Sequence, residues 1–389
     1  MIAQPGKRFN RTAACGKRIR RTELLSSRTS QGREQGNGFG EGLSIPVAVP
    51  PSQKTKRLRD QDQRHGRISK EKKMSGTTVV RREAGSEVLA YDYRDTLLAS
   101  EKVNWNLDDI IGGDKKLDFS KRFMPESLAR VDELPFLNAD EKRILNQIRG
   151  NAYLSIFVIV EEFIVPFVLD HVRPELDTDD YRIRAYLHFV EEEVKHIQLF
   201  KRFCEEFRAG FPIECKVIGP AAEIGKAVLA HNPTSVALAI LMIEWMTQDH
   251  YVGSVKDDSD LDPQFKSMLK NHWLEEAQHA KLDTMMVESL IANSTDEQIS
   301  EAIDGFLAIG GFLDAGLKQQ TEFDLEAFET AVGRELSTEE RERFLTTQLQ
   351  ANRWTYIGSG MVHPRFRQML DRLGIDARDR IEEVAPVFA

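Results

Sequence analysis

His272, Glu276 and His279, in the run His272-Trp273-Leu274-Glu275-Glu276-Ala277-Gln278-His279, are separated by four and then three positions. On a helix of about 3.6 residues per turn, that spacing puts two imidazoles and a carboxylate on one stripe. Such a stripe can hold a transition metal: mixed imidazole and carboxylate ligation suits Fe(II), with Mn(II) a weaker-binding competitor. A second Glu-x-x-His pair, Glu193 and His196, lies in Val190-Glu191-Glu192-Glu193-Val194-Lys195-His196. One pair means little. With nine His in the chain and abundant Glu, about one match is expected by chance, and Glu191 to Lys195 alone reads as a solvated charge run.

Two pairs, each preceded by an acid inside an apolar helical run, carry more information. Those acids are Glu161 or Glu162, in Ser155-Ile156-Phe157-Val158-Ile159-Val160-Glu161-Glu162-Phe163-Ile164-Val165, and Glu244, in Ala239-Ile240-Leu241-Met242-Ile243-Glu244-Trp245-Met246. Glu, Glu-x-x-His, Glu, Glu-x-x-His is the ligand order of ferritin-like di-iron and di-manganese four-helix bundles. An ionised Glu244 among Ile, Leu, Met and Trp is unfavourable by several kcal/mol unless something offsets it. The neighbouring apolar runs supply no Arg or Lys for the purpose. Metal cations can do it. The carboxylates of Glu162, Glu193, Glu244 and Glu276 sum to four negative charges. Two ferrous ions neutralise them, as do two ferric ions bridged by one oxide, so iron can cycle in a low-dielectric core.

Periodicity does not choose between Glu161 and Glu162 in so apolar a run. In the doublets Glu192-Glu193 and Glu275-Glu276 the second acid has the His partner, and that analogy favours Glu162. Glu161, Glu192 and Glu275 lie about 100° round their helices from the expected ligands and are expected to support them from behind or to face solvent. His188 and His250 lack the required offset and are expected behind the ligands or at the surface.

Helices must deliver these groups. Asn138-Ala139-Asp140-Glu141 has the form of a capping box and opens a first bundle helix from about Ala139 to Leu169. Thr178-Asp179-Asp180 caps a second, which carries Glu193 and His196 and stops by Gly210. Asn232-Pro233 opens a third, to about Lys256, and Asp262-Pro263 a fourth, to about Leu290. Glu162 to Glu193 spans 31 positions and Glu244 to Glu276 spans 32. Two hairpins of nearly equal length therefore deliver matching ligand sets, a pattern of internal duplication that yields a pseudo-twofold site. Ser294-Thr295-Asp296-Glu297 and Ser337-Thr338-Glu339-Glu340 open further helices, and His363-Pro364 is expected to end one. Strand-like alternation with turn signals is essentially absent. The expected fold is all-α: a ferritin-like four-helix bundle over residues 86–293 and a C-terminal helical extension over 294–389 packed on it. A lead-in from Tyr91 to Pro135 would pack Trp105, Phe119, Phe123 and Leu128 on the bundle.

Residues 1–85 are different. Before Met74 there are about three basic residues for each acidic one in a Gly-, Ser-, Gln- and Pro-rich context that cannot build a core. This segment is expected to be disordered, with Met74-Ser75-Gly76 the favoured true start; a solvated tail and a transit-type leader are the other readings. The chain's net charge of −9 leaves no nucleic-acid footprint. Cys15, Cys204 and Cys215 make an odd set without Cys-x-x-Cys spacing, which points to a reducing compartment, the cytoplasm. No run of 18 or more apolar residues is uninterrupted by charge or Pro, so no membrane span is expected.

With these residues in place, the order Glu, Glu-x-x-His, Glu, His-x-x-x-Glu-x-x-His resembles the para-aminobenzoate N-oxygenase family of ferritin-like di-iron proteins, whose sites are marked by a third histidine. The stretches Met124-Pro125-Glu126-Ser127-Leu128 and Leu134-Pro135-Phe136-Leu137 resemble the family's lead-in. The similarity covers about residues 105–290 and departs at Glu192, where the family usually has Asp. Carried over, the family's metal ligands fall on Glu162, Glu193, His196, Glu244, His272, Glu276 and His279. The resemblance implies two Fe ions with Mn as a substitute, O2 as co-substrate, an electron donor or reductase, and oxygenation of an arylamine or related small amine. A homodimer is compatible with it. Two rival functions share the fold: another di-iron hydroxylation, desaturation or oxidation, and iron handling in the manner of ferritin. The hundred or so residues after the fourth helix argue against a storage shell, which needs only a compact bundle.

Overall fold

Asp92 accepts a hydrogen bond from the Asp95 backbone N–H and starts the first helix, α1 (Tyr93–Ser100). This computed structural model describes residues 91–177, 179–374 and 376–389. The basic segment, its Met74 and Cys15 lie outside the described residues, as does Thr178. The chain divides between Lys73 and Met74, and everything described belongs to the Met74–Ala389 unit. Two single-turn helices follow, α2 (Leu107–Ile110) and α3 (Glu126–Ala129). They bring Trp105, Phe123 and Leu128 into the core and lay Phe119 against its edge.

Asn138 and Glu141 form the expected capping box, and α4 runs from Ala139 to Val172 (Ala139–Val172). This helix is apolar nearly all the way round. Residues 139–175 are long and apolar enough to cross a membrane, but 67% of the most apolar window is buried inside the protein, as expected of a central core helix. Asp179 caps α5 (Asp180–Gly210) with hydrogen bonds from the Tyr181 and Arg182 N–H groups. α4 and α5 make the first hairpin. A short α6 (Ala221–Leu229) lies on α4, and Asn232 caps α7 (Pro233–Asp249). The third bundle helix was expected to continue to about Lys256; instead its last residues, His250–Val255, widen into a π-type turn. Asp262 caps α8 (Pro263–Ile291), which pairs with α7 as the second hairpin.

Thr295 and Gln298 form a capping box at the start of α9 (Asp296–Val332), which ends at Gly333 with φ +70°, the left-handed C-terminal stop that Gly adopts without strain. α9 packs on α4 and α7, and α10 (Thr338–Arg353) packs on α9. The added helices are locked on by buried polar groups. Arg149 of α4 lies 3.5 Å from Asp324 of α9 and donates to Asn352 of α10, whose amide donates to Thr321 at 2.9 Å. α11 (Ser359–Met361), α12 (Pro364–Leu373) and α13 (Ala377–Val384) complete the chain. The helical run that includes α10 and α11 stops at Met361, just before His363-Pro364 as expected, and the His363 ring also accepts from the Arg365 N–H at 3.2 Å and caps α12, with Pro364 in the first helical position. Among the described residues the only β-pairings are two isolated bridges.

The lead-in is fastened to the bundle by Asn146. Its side-chain oxygen accepts from the Phe123 and Met124 N–H groups at 2.8 and 3.0 Å, and its amide donates to the Met124 carbonyl at 2.7 Å. Asn146→Ala should therefore lower the unfolding free energy by about 3 kcal/mol, since it leaves two buried donors and an acceptor unpaired; urea denaturation measures this directly.

Candidate metal centre

Four bundle helices turn one acidic or imidazole stripe each toward a common interior. α5 contributes Glu193 and His196, 1% and 0% exposed, and α8 contributes His272, Glu276 and His279. α4 contributes Glu161, at 2% exposure. Its register is set by Tyr153, Phe157 and Glu161, four residues apart on the buried face of α4. Glu162 lies about 100° further round. Its side chain is 35% exposed and accepts from the Lys201 ammonium at 2.6 Å, so it points away from the cluster. The preference for Glu162 over Glu161 is thus corrected. The doublet analogy came from helices on which the second acid shares a face with a His, and α4 has no such His.

Two overlapping groups of potential ligand atoms result: Glu161, His196, His272 and Glu276; and Glu193, His196, Glu276 and His279. Within each group the atoms lie within 4.8 Å of one another. His272 Nε2 is 3.1 Å from Glu161 Oε1 and 2.7 Å from Glu276 Oε1. His279 Nδ1 is 2.8 Å from Glu193 Oε1 and 3.2 Å from Glu276 Oε2, and His196 Nδ1 is 3.1 Å from Glu276 Oε1. Glu244, 2% exposed on α7, belongs to neither group and meets the cluster through the Glu276 carboxyl. Glu276, with an oxygen in reach of each group, is the shared member.

The remaining acids brace the imidazoles crosswise. His196 of α5 donates through Nε2 to Glu275 of α8 at 2.8 Å, and His279 of α8 donates through Nε2 to Glu192 of α5 at 2.9 Å. A carboxylate only accepts, so each ring carries a proton on Nε2 and turns Nδ1 inward, where that of His196 has no hydrogen-bond partner and that of His279 lies 3.2 Å from Glu276 Oε2. Glu192 is further held by the Ser100 hydroxyl of α1 at 2.7 Å. Lys195 donates to Glu275 and lies 4.2 Å above the Trp105 ring, which stacks on His196 at 6.0 Å. His188 is half-buried beside Glu191 and Glu192, at 3.6 and 3.7 Å. His250 is buried between the Tyr153 hydroxyl at 3.4 Å and the Ser359 hydroxyl at 3.2 Å.

Electrostatically the cluster is crowded with like charges. Burial pushes the Glu161 carboxyl up to about 8, with His272 holding it back, and burial next to Glu276 raises Glu244 well above the carboxylate range. Burial disfavours charge on Glu276 too, but His272 and His279 outweigh it and hold this carboxyl well below its ordinary value. The three histidines are raised: burial lowers each, and the surrounding carboxylates outweigh it. Several buried atoms find no hydrogen-bond partner: Glu161 Oε2, both Glu193 oxygens, Glu244 Oε2 and His196 Nδ1. Their neighbours are near, but not aligned to share a proton. Lone pairs converging without donors are what a pair of cations would satisfy, so the residues present fit a di-metal group.

Sequence reasoning missed Asp283. It is 1% exposed, continues the stripe four residues after His279, and burial beside the cluster raises its carboxyl well above the usual range. The same periodicity that singled out His272, Glu276 and His279 reaches it. Ser100 and Trp105 carry no comparable signal, because only the tertiary fold brings the lead-in across α5.

A profile of the family described as p-aminobenzoate N-oxygenase AurF matches residues 95–302, more than half of the chain. The chain belongs to the AurF p-aminobenzoate N-oxygenase family. None of the curated proteins matches it. Two solved structures of R2-like ligand-binding oxidase variants, each with an aerobically reconstituted Mn/Fe cofactor, are similar at 11% identity over 68% of this chain and 93% of theirs, with TM-scores of 0.38 and 0.34. As a member of the AurF family the chain is an oxidoreductase that uses O2 at a buried carboxylate and histidine cluster able to hold iron, and acts on a small molecule.

Glu161→Ala and Glu275→Ala should each weaken Fe(II) binding by about tenfold or more, the first by removing a cluster oxygen and the second by releasing the His196 ring. Glu162→Ala should leave it unchanged; equilibrium dialysis with metal analysis separates the three. His250 gives a pH signature. Burial pushes its pKa down to about 3, while in the unfolded chain it titrates near 6.5. The unfolded state thus gains a proton that the folded state refuses, so stability present above pH 6.5 is lost as pH falls toward 3, at about 1.4 kcal/mol per unit. Urea titrations should show wild type losing about 2 kcal/mol more than His250→Gln between pH 7 and pH 5.

Proposed function

We propose that this protein is a di-iron N-oxygenase that oxidises the nitrogen of a small amine, with Glu161, Glu193, His196, Glu244, His272, Glu276 and His279 holding two iron ions. The observation that carries the reading is the convergence of three imidazoles and four carboxylates between four helices in a member of this family. Exchanging Glu162 for Glu161 leaves the charge balance as it was: four carboxylates against two divalent ions. Glu276 has an oxygen in reach of each group and would contribute to holding both ions. His196 reaches both groups, but its Nε2 is committed to Glu275, so its Nδ1 serves one ion.

Bound there, the iron pair supplies the two-electron chemistry by which O2 is activated for transfer to the substrate. The protein's own groups set the conditions. Glu192 and Glu275 accept from the rings and fix their orientation, which raises imidazole basicity and limits reorganisation as charge changes. His272 adds a third imidazole on the Glu161 side. Phe157, Phe200 and Phe189 press against His272 and His279 with ring centroids 5.6, 5.0 and 4.0 Å apart, and exclude water from that side. A redox partner must deliver electrons, and a small donor or a reductase fills that place. The free thiols of Cys204 and Cys215 fit a reducing compartment such as the cytoplasm.

The test is to load the protein anaerobically with two equivalents of Fe(II), add an arylamine and a reductant, and admit 18O-labelled O2. Mass spectrometry should find label in a hydroxylamine or nitroso or nitro product. Label on ring or chain carbon instead would transfer the protein to the hydroxylase reading, and iron accumulating far above two per chain would favour storage.

A further inference from the structure

A cavity of about 40 Å³ lies between α4, α7 and α9, and eleven of its twelve lining residues carry hydrocarbon or thioether side chains. Three of them stand next to members of the cluster. Val160 and Ile243 immediately precede Glu161 and Glu244, and the Phe157 ring rests edge-on against His272 with centroids 5.6 Å apart. Phe163, 2% exposed, lines the cavity and also an open groove of about 740 Å³ between α4 and α6. One aromatic side chain thus stands between the cavity and solvent, and another between the cavity and an imidazole of the centre.

Size and lining decide what can occupy this space. A buried water needs two to four polar partners, whereas apolar cavities stay dry and take up neutral apolar guests such as xenon. The volume corresponds to about three waters, which excludes an aromatic ring and admits a diatomic molecule. We infer that this cavity holds molecular oxygen on its passage from the α4–α6 groove to the metal centre, with Phe163 as the outer barrier and Phe157 as the inner one. O2 is nonpolar and gains by leaving water for walls of this kind. Charged species derived from it would be desolvated there with no cation in the wall, so the passage is selective for the neutral gas. Side chains in close-packed interiors still change rotamer, and a shift of either Phe ring is enough to let a diatomic molecule past. The inference rests on the reaction of the centre with O2 and is independent of which substrate atom is oxidised.

Crystals of the metal-free full chain under xenon pressure test the site, since xenon is a neutral and strongly scattering guest for such cavities. Anomalous density should appear between Phe157, Ile243 and Met246. Leu317→Phe, which adds a ring to the wall contributed by α9, should remove it, and Leu317→Ala should raise its occupancy. In the iron-loaded, reduced full chain, the rate of Fe(II) oxidation followed by stopped flow should rise linearly with O2 concentration. The slope should fall at least about fivefold in Leu317→Phe, whose filled cavity no longer takes a guest, and should rise in Phe163→Ala, which lacks the outer ring. Leu313→Phe, on the same wall, repeats the filling should Leu317→Phe fail to fold; unchanged melting temperature and iron content qualify either. Absence of xenon from the wild-type cavity, or an unchanged slope in a Phe variant that has lost its xenon, would overturn the assignment. The xenon readout involves no metal, so a chain that binds xenon but takes up no iron would count against the di-iron reading alone.

Discussion

Burial of acid in apolar surroundings is the constraint from which the rest of this structure follows. Glu161, Glu193, Glu244 and Glu276 are each 1–2% exposed, and the groups around them are mostly aromatic or aliphatic. A carboxylate so placed must be protonated, hydrogen-bonded or held by a cation. Hydrogen bonding alone does not suffice, because Glu193 has neither oxygen hydrogen-bonded. A pair of divalent ions resolves the conflict, and the four helices are the frame that keeps the acids together in spite of their mutual repulsion.

Precision comes from the ring of residues behind the cluster. The crossed hydrogen bonds of Glu192 to His279 and of Glu275 to His196 tie α5 to α8 and fix the orientation of both imidazoles. This is where Glu192, in place of the shorter acid that the family usually carries, gains a role: one oxygen reaches His279 and the other the Ser100 hydroxyl on α1. The lead-in is thereby joined to the centre, and Trp105 with Lys195 closes the same side.

The helices after residue 294 do more than cover hydrophobic surface. α9 closes the α4 and α7 side of the bundle and completes the cavity beside the cluster with Leu313 and Leu317, while the following π-type turn Trp354–Gly358 contributes Tyr356. The buried Arg149–Asp324 pair anchors this addition; burial pushes the Asp324 carboxyl up to about 6 against the pull of Arg149. A buried ion pair adds little net stability against an apolar substitute, so its contribution here is to fix how α9 and α10 seat on α4.

The sequence by itself determined the four helices and most of the cluster. The caps at Asn138, Asn232, Asp262, Thr295 and Ser337 stand where local chemistry put them. The face shared by His272, Glu276 and His279 follows from helical periodicity alone, since that rule acts within a few residues. What the tertiary structure decided was every choice between adjacent acids on α4, and everything contributed from a distance. Glu161 faces inward because Tyr153 and Phe157 bury that side of α4, and Glu162 faces Lys201 on a neighbouring helix; an apolar run has no polar face from which such a rotation could be read. Ser100, Trp105 and Tyr356 join the centre through contacts spanning from about ninety to about two hundred positions. Packing, which is non-local, selects those partners.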